Sequence, residues 1–293
     1  RSPSRGLGDV YKRQLVRVHD SIYSLELFHG PTLAFKDVGA RFMARLLGYF
    51  IERKGNKEVN VLVATSGDTG SAVANGFLGV PGIHVYVLYP KGKVSEIQEK
   101  QFTTLGRNIT ALEIDGTFDD CQALVKSAFM DKDLNKMMNL TSANSINVAR
   151  FLPQSFYYFY AYAQLLKQGM ADNIVMCVPS GNFGNITAGL FAKRMGLPVR
   201  RFIAANNRND IFLQYLRSGK YEPKPSVSTL ANAMDVGAPS NFARILDLYG
   251  GSHDAVCAEI SGASYTDEQI RETLADVYRR CHYLLDPHGT CGY

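Results

Sequence analysis

No stretch of about 18 residues runs without polar interruption, which leaves no candidate for a transmembrane helix. The most apolar stretch, residues 151–166, is broken by Pro153, Gln154, Ser155 and Gln164 and reads as a buried helix. A basic start followed by an apolar centre and a small-residue cleavage site is also missing, so no secretory signal is predicted. The five cysteines, Cys121, Cys177, Cys257, Cys281 and Cys291, are odd in number and none forms a CxxC pair. A reduced, cytoplasmic setting is expected, with no metal site. Cys177, inside the apolar run 174–178, is expected to be a small buried hydrophobe. Nor is there a basic stripe. The formal charge is +5, but Arg1, Arg5, Lys12 and Arg13 against Asp9 place +3 of it in the first fourteen residues. The other 279 residues hold only +2, which is no electrostatic footprint for nucleic acid.

What is present is ample core material: 293 residues at 46% hydrophobic content, enough for two modest α/β lobes. Residues 1–14, RSPSRGLGDVYKRQ, show no strand or helix period and are expected to be a non-native scar outside the fold. From residue 59 a short apolar run, a glycine-bearing turn and a helix-like segment recur. Strands are predicted over 59–65, 83–89, 109–114 and 137–140, with helices over 70–78, 95–105 and 119–130 between them. This alternation implies a parallel sheet with right-handed crossovers. A second series follows: helix 156–168, strand 174–178, helix 186–195 and strand 199–205. The stretch 221–239 is punctuated by Pro and Gly and reads as a loop with a short helical piece. A last helix starts at Thr266 and runs to about residue 284, before Asp286-Pro287 stops it. The fold class is α/β, with two parallel-sheet lobes of unequal size.

Four segments carry chemistry. Leu27 to Asp37, LFHGPTLAFKD, sets Lys36 in apolar surroundings between a Gly-Pro turn and a helix over 38–47. Desolvation favours the neutral amine and makes it available for imine chemistry, although a lysine at a helix start is more commonly a solvated charge. TSGDTGS, residues 65–71, follows a strand and opens a helix, where free N–H groups make an anion site. An ordinary Gly/Ser turn capped by Asp fits the same residues. PSGNFGN, residues 179–185, repeats that context, and its glycines allow a phosphate to approach the backbone at a helix N-terminus. Neither a Walker Gly-Lys-Ser/Thr nor a GxGxxG is present. NSINVAR, residues 144–150, joins amides, a hydroxyl and one Arg that suit a gripped phosphate or carboxylate; a capped turn with a salt-bridged Arg is the alternative.

Together, the phrases ELFHGPTLAFKD, ATSGDTGSA, SANSINVARFLPQ and PSGNFGN closely resemble, in order, those of the bacterial and fungal threonine synthases. The resemblance runs from about residue 25 to residue 293. It implies a fold type II pyridoxal-phosphate enzyme of tryptophan synthase β-like architecture, a monomer or homodimer. Its large cofactor-binding domain would comprise 15–58 and 145–293, and its smaller α/β domain 59–144. The implied reaction converts O-phospho-L-homoserine and water to L-threonine and phosphate, with pyridoxal 5'-phosphate as cofactor. Lys36 then corresponds to the lysine that holds the cofactor. Gly181, Asn182, Phe183, Gly184 and Asn185 correspond to the loop around its phosphate. Thr65, Ser66, Asp68 and Thr69 sit where the family holds the substrate's amino-acid end, and Asn144, Ser145 and Arg150 where it grips the substrate phosphate.

Family members have a folded segment before the lysine motif and continue past DPH to a hydroxyl that contacts the pyridine nitrogen. Neither is found in this sequence, so a fragment cut at both ends, inactive or nearly so by itself, is expected. A related pyridoxal-phosphate lyase or dehydratase is the alternative that Asn144, Ser145 and Arg150 argue against. A non-catalytic paralogue binding phosphorylated ligands is the one that Lys36 argues against. His29 and His288 each read as a turn histidine or a site residue. Lys93 and Lys100 read as solvated cations or phosphate contacts, and the aromatic run 156–162 as core or subunit interface.

Overall fold

Polar-apolar alternation is weak in VNVLVA and IHVYVLYP, and both become inner strands of a parallel sheet, where each face is covered. The computed structural model describes residues 14–53, 58–144 and 147–293. It begins with β1 (Gln14–His19) and β2 (Ile22–Glu26), paired as a two-stranded sheet. Gln14 is therefore part of a strand, although it fell within the fourteen residues expected to lie outside the fold; the other thirteen are outside the described residues. The chain divides into two compact units, one spanning Leu25–Pro153 and the other combining Leu15–Ser24 with Gln154–Tyr293.

The first unit contains α1 (Lys36–Arg53), β3 (Val59–Ala64), α2 (Asp68–Phe77), β4 (Ile83–Pro90), α3 (Glu96–Thr103) and β5 (Ile109–Ile114). It continues with α4 (Phe118–Met130), α5 (Lys132–Met137), β6 (Asn139–Ser142) and α6 (Val148–Phe151). The strand order is β5-β4-β3-β6, all parallel, with Val59 opposite Ile83 and Asn139, and Val85 opposite Ile109. Val61, Val63, Val85 and Val87 pack with α1 and α2 on one face, while Leu62, Ala64 and Leu88 meet Cys121 and Val125 of α4 on the other. Small residues let α2 lie close to α1: a Cβ on Gly76 would stand 3.0 Å from the Ala40 carbonyl carbon. That packing is why the compact unit takes in α1 and extends beyond the 59–144 expected of a smaller domain. The strand foreseen at 137–140 starts later, because Asp131 accepts from the N–H groups of Asp133 and Leu134 and caps a helix that runs through Met137.

The second unit contains α7 (Ser155–Lys167), β7 (Val175–Pro179), α8 (Gly184–Arg194), β8 (Arg201–Asn206) and α9 (Ile211–Ser218). After it come α10 (Phe242–Leu248), α11 (His253–Glu259), β9 (Ile260–Ser264), α12 (Asp267–Cys281) and α13 (Pro287–Gly292). Its three parallel strands run β7-β8-β9, with Val175 opposite Arg201 and Phe202 opposite Ile260. Gly189 admits α8 to the sheet: a Cβ there would meet the rings of Phe202 and Tyr158 at 2.7 Å. The predicted start at Thr266 is a full capping box with Gln269. Asp286-Pro287 does more than stop a helix, since Asp286 caps α13 through the Gly289 N–H. Cys177 is corrected: β7 is an end strand, and both Val175 and Cys177 are exposed on it.

Candidate functional site

In the first unit the predicted residues gather at the carboxyl ends of β3 and β6, the edge where open α/β sheets bind ligands. Lys36 is the first residue of α1, and its Nζ lies 3.6 Å from Asp68 Oδ2, with both side chains mostly covered. Asp68 Oδ1 accepts from Gln98 Nε2, and Gln98 Oε1 accepts from Ser95 Oγ at 2.8 Å. Gly67, at φ 140, makes room: a Cβ would come within 2.4 Å of Gln98 Oε1. Thr65 is buried and its Oγ1 accepts from the N–H groups of Gly67 and Gly70 at 2.9 and 2.8 Å. It therefore shapes the turn, and the N–H groups of Asp68 and Thr69 at the start of α2 have no acceptor among the described residues. Ser66 is exposed beside them.

Asn144 clamps the end of β3 to β6, donating from Nδ2 to the Ala64 carbonyl at 2.9 Å and accepting from the Ala64 N–H at 3.3 Å. Ser145 lies outside the described residues. Arg150 is 1% exposed, and its backbone carbonyl is close enough to α1 to exclude a Cβ at Gly39. Asp37, next to Lys36, is buried and accepts from Thr32 Oγ1 at 2.6 Å and Thr32 N–H at 3.1 Å. Burial pushes its carboxyl up, against the hydrogen bonds from Thr32 and the charges of Arg41 and Arg150. His29 is half-buried and bonds Glu26 Oε2 at 2.6 Å.

The second unit holds the 180–185 turn. Ser180 is buried, its N–H bonds the Ala205 carbonyl at 2.9 Å, and its Oγ donates to the Val178 carbonyl at 3.1 Å. Asn185 closes the turn, with Nδ2 donating to the Pro179 carbonyl at 2.7 Å and Oδ1 accepting from the Ile186 N–H at 2.9 Å. Phe183 adopts the left-handed conformation at φ 61, its ring buried 4.6 Å from that of Phe212. It sits at the N-cap of α8 without a side-chain cap. The N–H groups of Phe183, Gly184 and Asn185 have no acceptor among the described residues. Gly181 is pressed against another segment, where a Cβ would stand 2.6 Å from Met234 Cα and 3.1 Å from the Ala233 carbonyl oxygen. Asn182 Oδ1 accepts from the N–H and Oγ of Ser240.

Sequence reasoning missed Gln98, which is 30 positions from the carboxylate it holds, and left the part played by His288 open. His288 Nε2 accepts from the Ala233 N–H at 3.2 Å, and its Nδ1 faces Asp286 Oδ2 at 2.7 Å. Lys93 and Lys100 have no place among these contacts; Lys100 pairs with Glu96 on the exposed side of α3. Among the described residues no helix is long and apolar enough to cross a membrane.

Lys36 stands at the start of α1, and the 180–185 turn stands at the start of α8. The family model for pyridoxal-phosphate dependent enzymes matches residues 14–293, and the chain belongs to that family. Within the family its similarity is to threonine synthases. It is 50% identical over 284 residues to the threonine synthase of Haemophilus influenzae, covering 97% of this chain and 65% of the relative. The crystal structure of threonine synthase from Escherichia coli matches 99% of this chain and 66% of its own, at TM-score 0.87 and 47% identity. Pyridoxal-phosphate-bound threonine synthase from Brucella melitensis matches at TM-score 0.89 and 37% identity, over 98% of this chain and 68% of its own. The chain thus spans about two thirds of the length of these relatives. The fold is that of the type II pyridoxal-phosphate enzymes.

The residues present fit the cofactor. The 180–185 turn offers consecutive backbone donors at the positive end of α8, and Gly181 lets residues 233–234 lie against the turn. Lys36 carries a primary amine, the group through which a lysine forms an imine with a carbonyl.

Proposed function

We propose that the protein carrying this chain is a threonine synthase, converting O-phospho-L-homoserine and water to L-threonine and phosphate. The observation that supports this most is the joint presence of Lys36 and two separate helix-start anion turns, in a chain 50% identical to a threonine synthase. Pyridoxal phosphate, when bound, supplies an electron sink for bonds broken at the substrate's carbon atoms. Lys36 would hold the cofactor through its side-chain nitrogen, and the same amine would be placed to move protons at the substrate's α and β carbons. The N–H groups of Phe183, Gly184 and Asn185 and the dipole of α8 would hold the cofactor phosphate, with Gly181 and Asn182 completing the loop around it. Thr65, Ser66, Asp68 and Thr69 take the substrate's amino-acid end, with Thr65 acting through the shape of the turn and Asp68 and Thr69 through their unbonded N–H groups. Asn144, Ser145 and Arg150 serve the phosphate that leaves. Work in the cytoplasm, supported by five cysteines that form no disulfide, and a monomeric or homodimeric state, taken from the resemblance alone, complete the reading.

The experiment is to assay threonine and phosphate together from O-phospho-L-homoserine. Equal amounts of the two are expected. Phosphate released with a 2-oxo acid and ammonia in place of threonine would make the protein a dehydratase-like lyase instead.

A further inference from the structure

The 180–185 turn is not held by its own strand and helix alone. The segment that leads into α10 touches it twice: Ala233 and Met234 press on Gly181, and Ser240 and Asn241 grip Asn182. Ser240 donates from its N–H and Oγ to Asn182 Oδ1 at 2.6 and 2.9 Å, and Asn241 Nδ2 donates to the Asn182 carbonyl at 3.0 Å. Residues 231–235 are irregular, with only a 3-10 turn at Asn232–Met234, so no ladder fixes their position. Two side chains do.

Asp235 is the first. Its Oδ1 accepts from Thr229 Oγ1 at 2.7 Å, Asn207 Nδ2 at 2.8 Å and Asn209 Nδ2 at 3.1 Å, and its Oδ2 accepts from the Thr229 N–H at 3.0 Å. Three of these four are amide donors, which only a carboxylate accepts with both oxygens at once. Asn207 and Asn209 directly follow β8, so the network ties residues 229–235 to the sheet edge next to Ser180. His288 is the second. The carboxylate of Asp286 at Nδ1 directs that nitrogen's proton to itself and leaves Nε2 as an acceptor for the Ala233 N–H.

We propose that Asp235 and His288 are positioning residues for the cofactor's phosphate: they hold residues 231–235 against Gly181 and so fix the turn whose N–H groups meet that phosphate. This rests on the reading above that the turn takes the phosphate of pyridoxal phosphate. Neither residue touches the ligand; each acts through Ala233, Met234 and Gly181.

The experiment uses two ligands that differ only in that phosphate. The cofactor-free protein is titrated with pyridoxal phosphate and with pyridoxal, following absorbance and equilibrium dialysis. The unsubstituted protein is expected to prefer pyridoxal phosphate. Asp235→Asn and His288→Ala should each weaken pyridoxal phosphate binding about tenfold, the effect of losing one well-placed interaction, and leave pyridoxal binding within about twofold. His288→Gln, whose amide oxygen can still accept from Ala233, should restore most of the preference. Equal losses for both ligands, or an unchanged ratio in the variants, would overturn the proposal; if Asp235→Asn does not fold, the two His288 variants decide it. No preference in the unsubstituted protein would instead overturn the assignment of the turn itself.

Discussion

At the scale of single residues, the site is a set of groups whose freedom has been removed. Gly181 is one case, because the atom nearest to an added Cβ is the Met234 backbone at 2.6 Å and cannot swing aside. Gly181→Ala should displace the turn and weaken pyridoxal phosphate binding about tenfold or more, as read by dialysis. Binding within a factor of two of the unsubstituted protein would mean the close approach is not functional. Arg150 is a different case. Its side chain is fully covered and its charge acts on the buried Asp37 carboxyl. Arg150→Ala should therefore cost about 2–5 kcal/mol of stability in urea unfolding, from the cavity and from the carboxylate it leaves behind. A loss below about 1 kcal/mol would remove the structural role and leave Arg150 to the substrate alone. Consecutive residues such as 181–185 were legible in the sequence because a turn and the helix it opens are local. Gln98 with Asp68, and Asp235 with Asn207, were not, since those pairings are made only by folding.

At the scale of elements, β3 and β4 were foreseen nearly to the residue, because doubly covered parallel strands read as continuous apolar runs; β5 was foreseen as well, although it is an end strand with Leu112 exposed. The strand β9, ISGAS, went unseen because its small and hydroxyl-bearing residues carry no such signal. Its place is set by pairing with β8, where Phe202 faces Ile260. The start of α12 was legible through its cap, Thr266. Thr266→Ala removes the side chain that accepts from the Gln269 N–H and should cost about 1 kcal/mol, measured by chemical denaturation. Gly189→Ala should cost more, about 1–3 kcal/mol, since its Cβ would press on two aromatic rings in a packed core. Equal costs would show that α8 can retreat from the sheet.

At the scale of the whole molecule, carboxyls shifted in opposite directions set opposing pH dependences. Burial raises Asp37 and Asp235, whose hydrogen bonds offset it only in part. Groups raised in the fold contribute stability that is full below their unfolded values and is lost as pH rises through the folded ones. Asp286 has the opposite sign: burial would raise it, but the hydrogen bond and charge of His288 and the Gly289 N–H outweigh that and lower it from 3.8. Its contribution is present above the unfolded value and is lost as pH falls through the lower folded one. Asp286→Asn should therefore lower stability near neutral pH by a fraction of a kcal/mol, since this side chain is 63% exposed and screened. The difference should vanish in strong acid. A difference that does not change with pH would trace the effect to packing.

The account as a whole turns on Lys36 as the residue that holds the cofactor. Borohydride treatment of the protein with pyridoxal phosphate, followed by peptide mapping, tests this directly. The pyridoxyl group should be found on the peptide carrying Lys36, and Lys36→Ala should abolish the label. A label on any other lysine, or none at saturating cofactor, would contradict it.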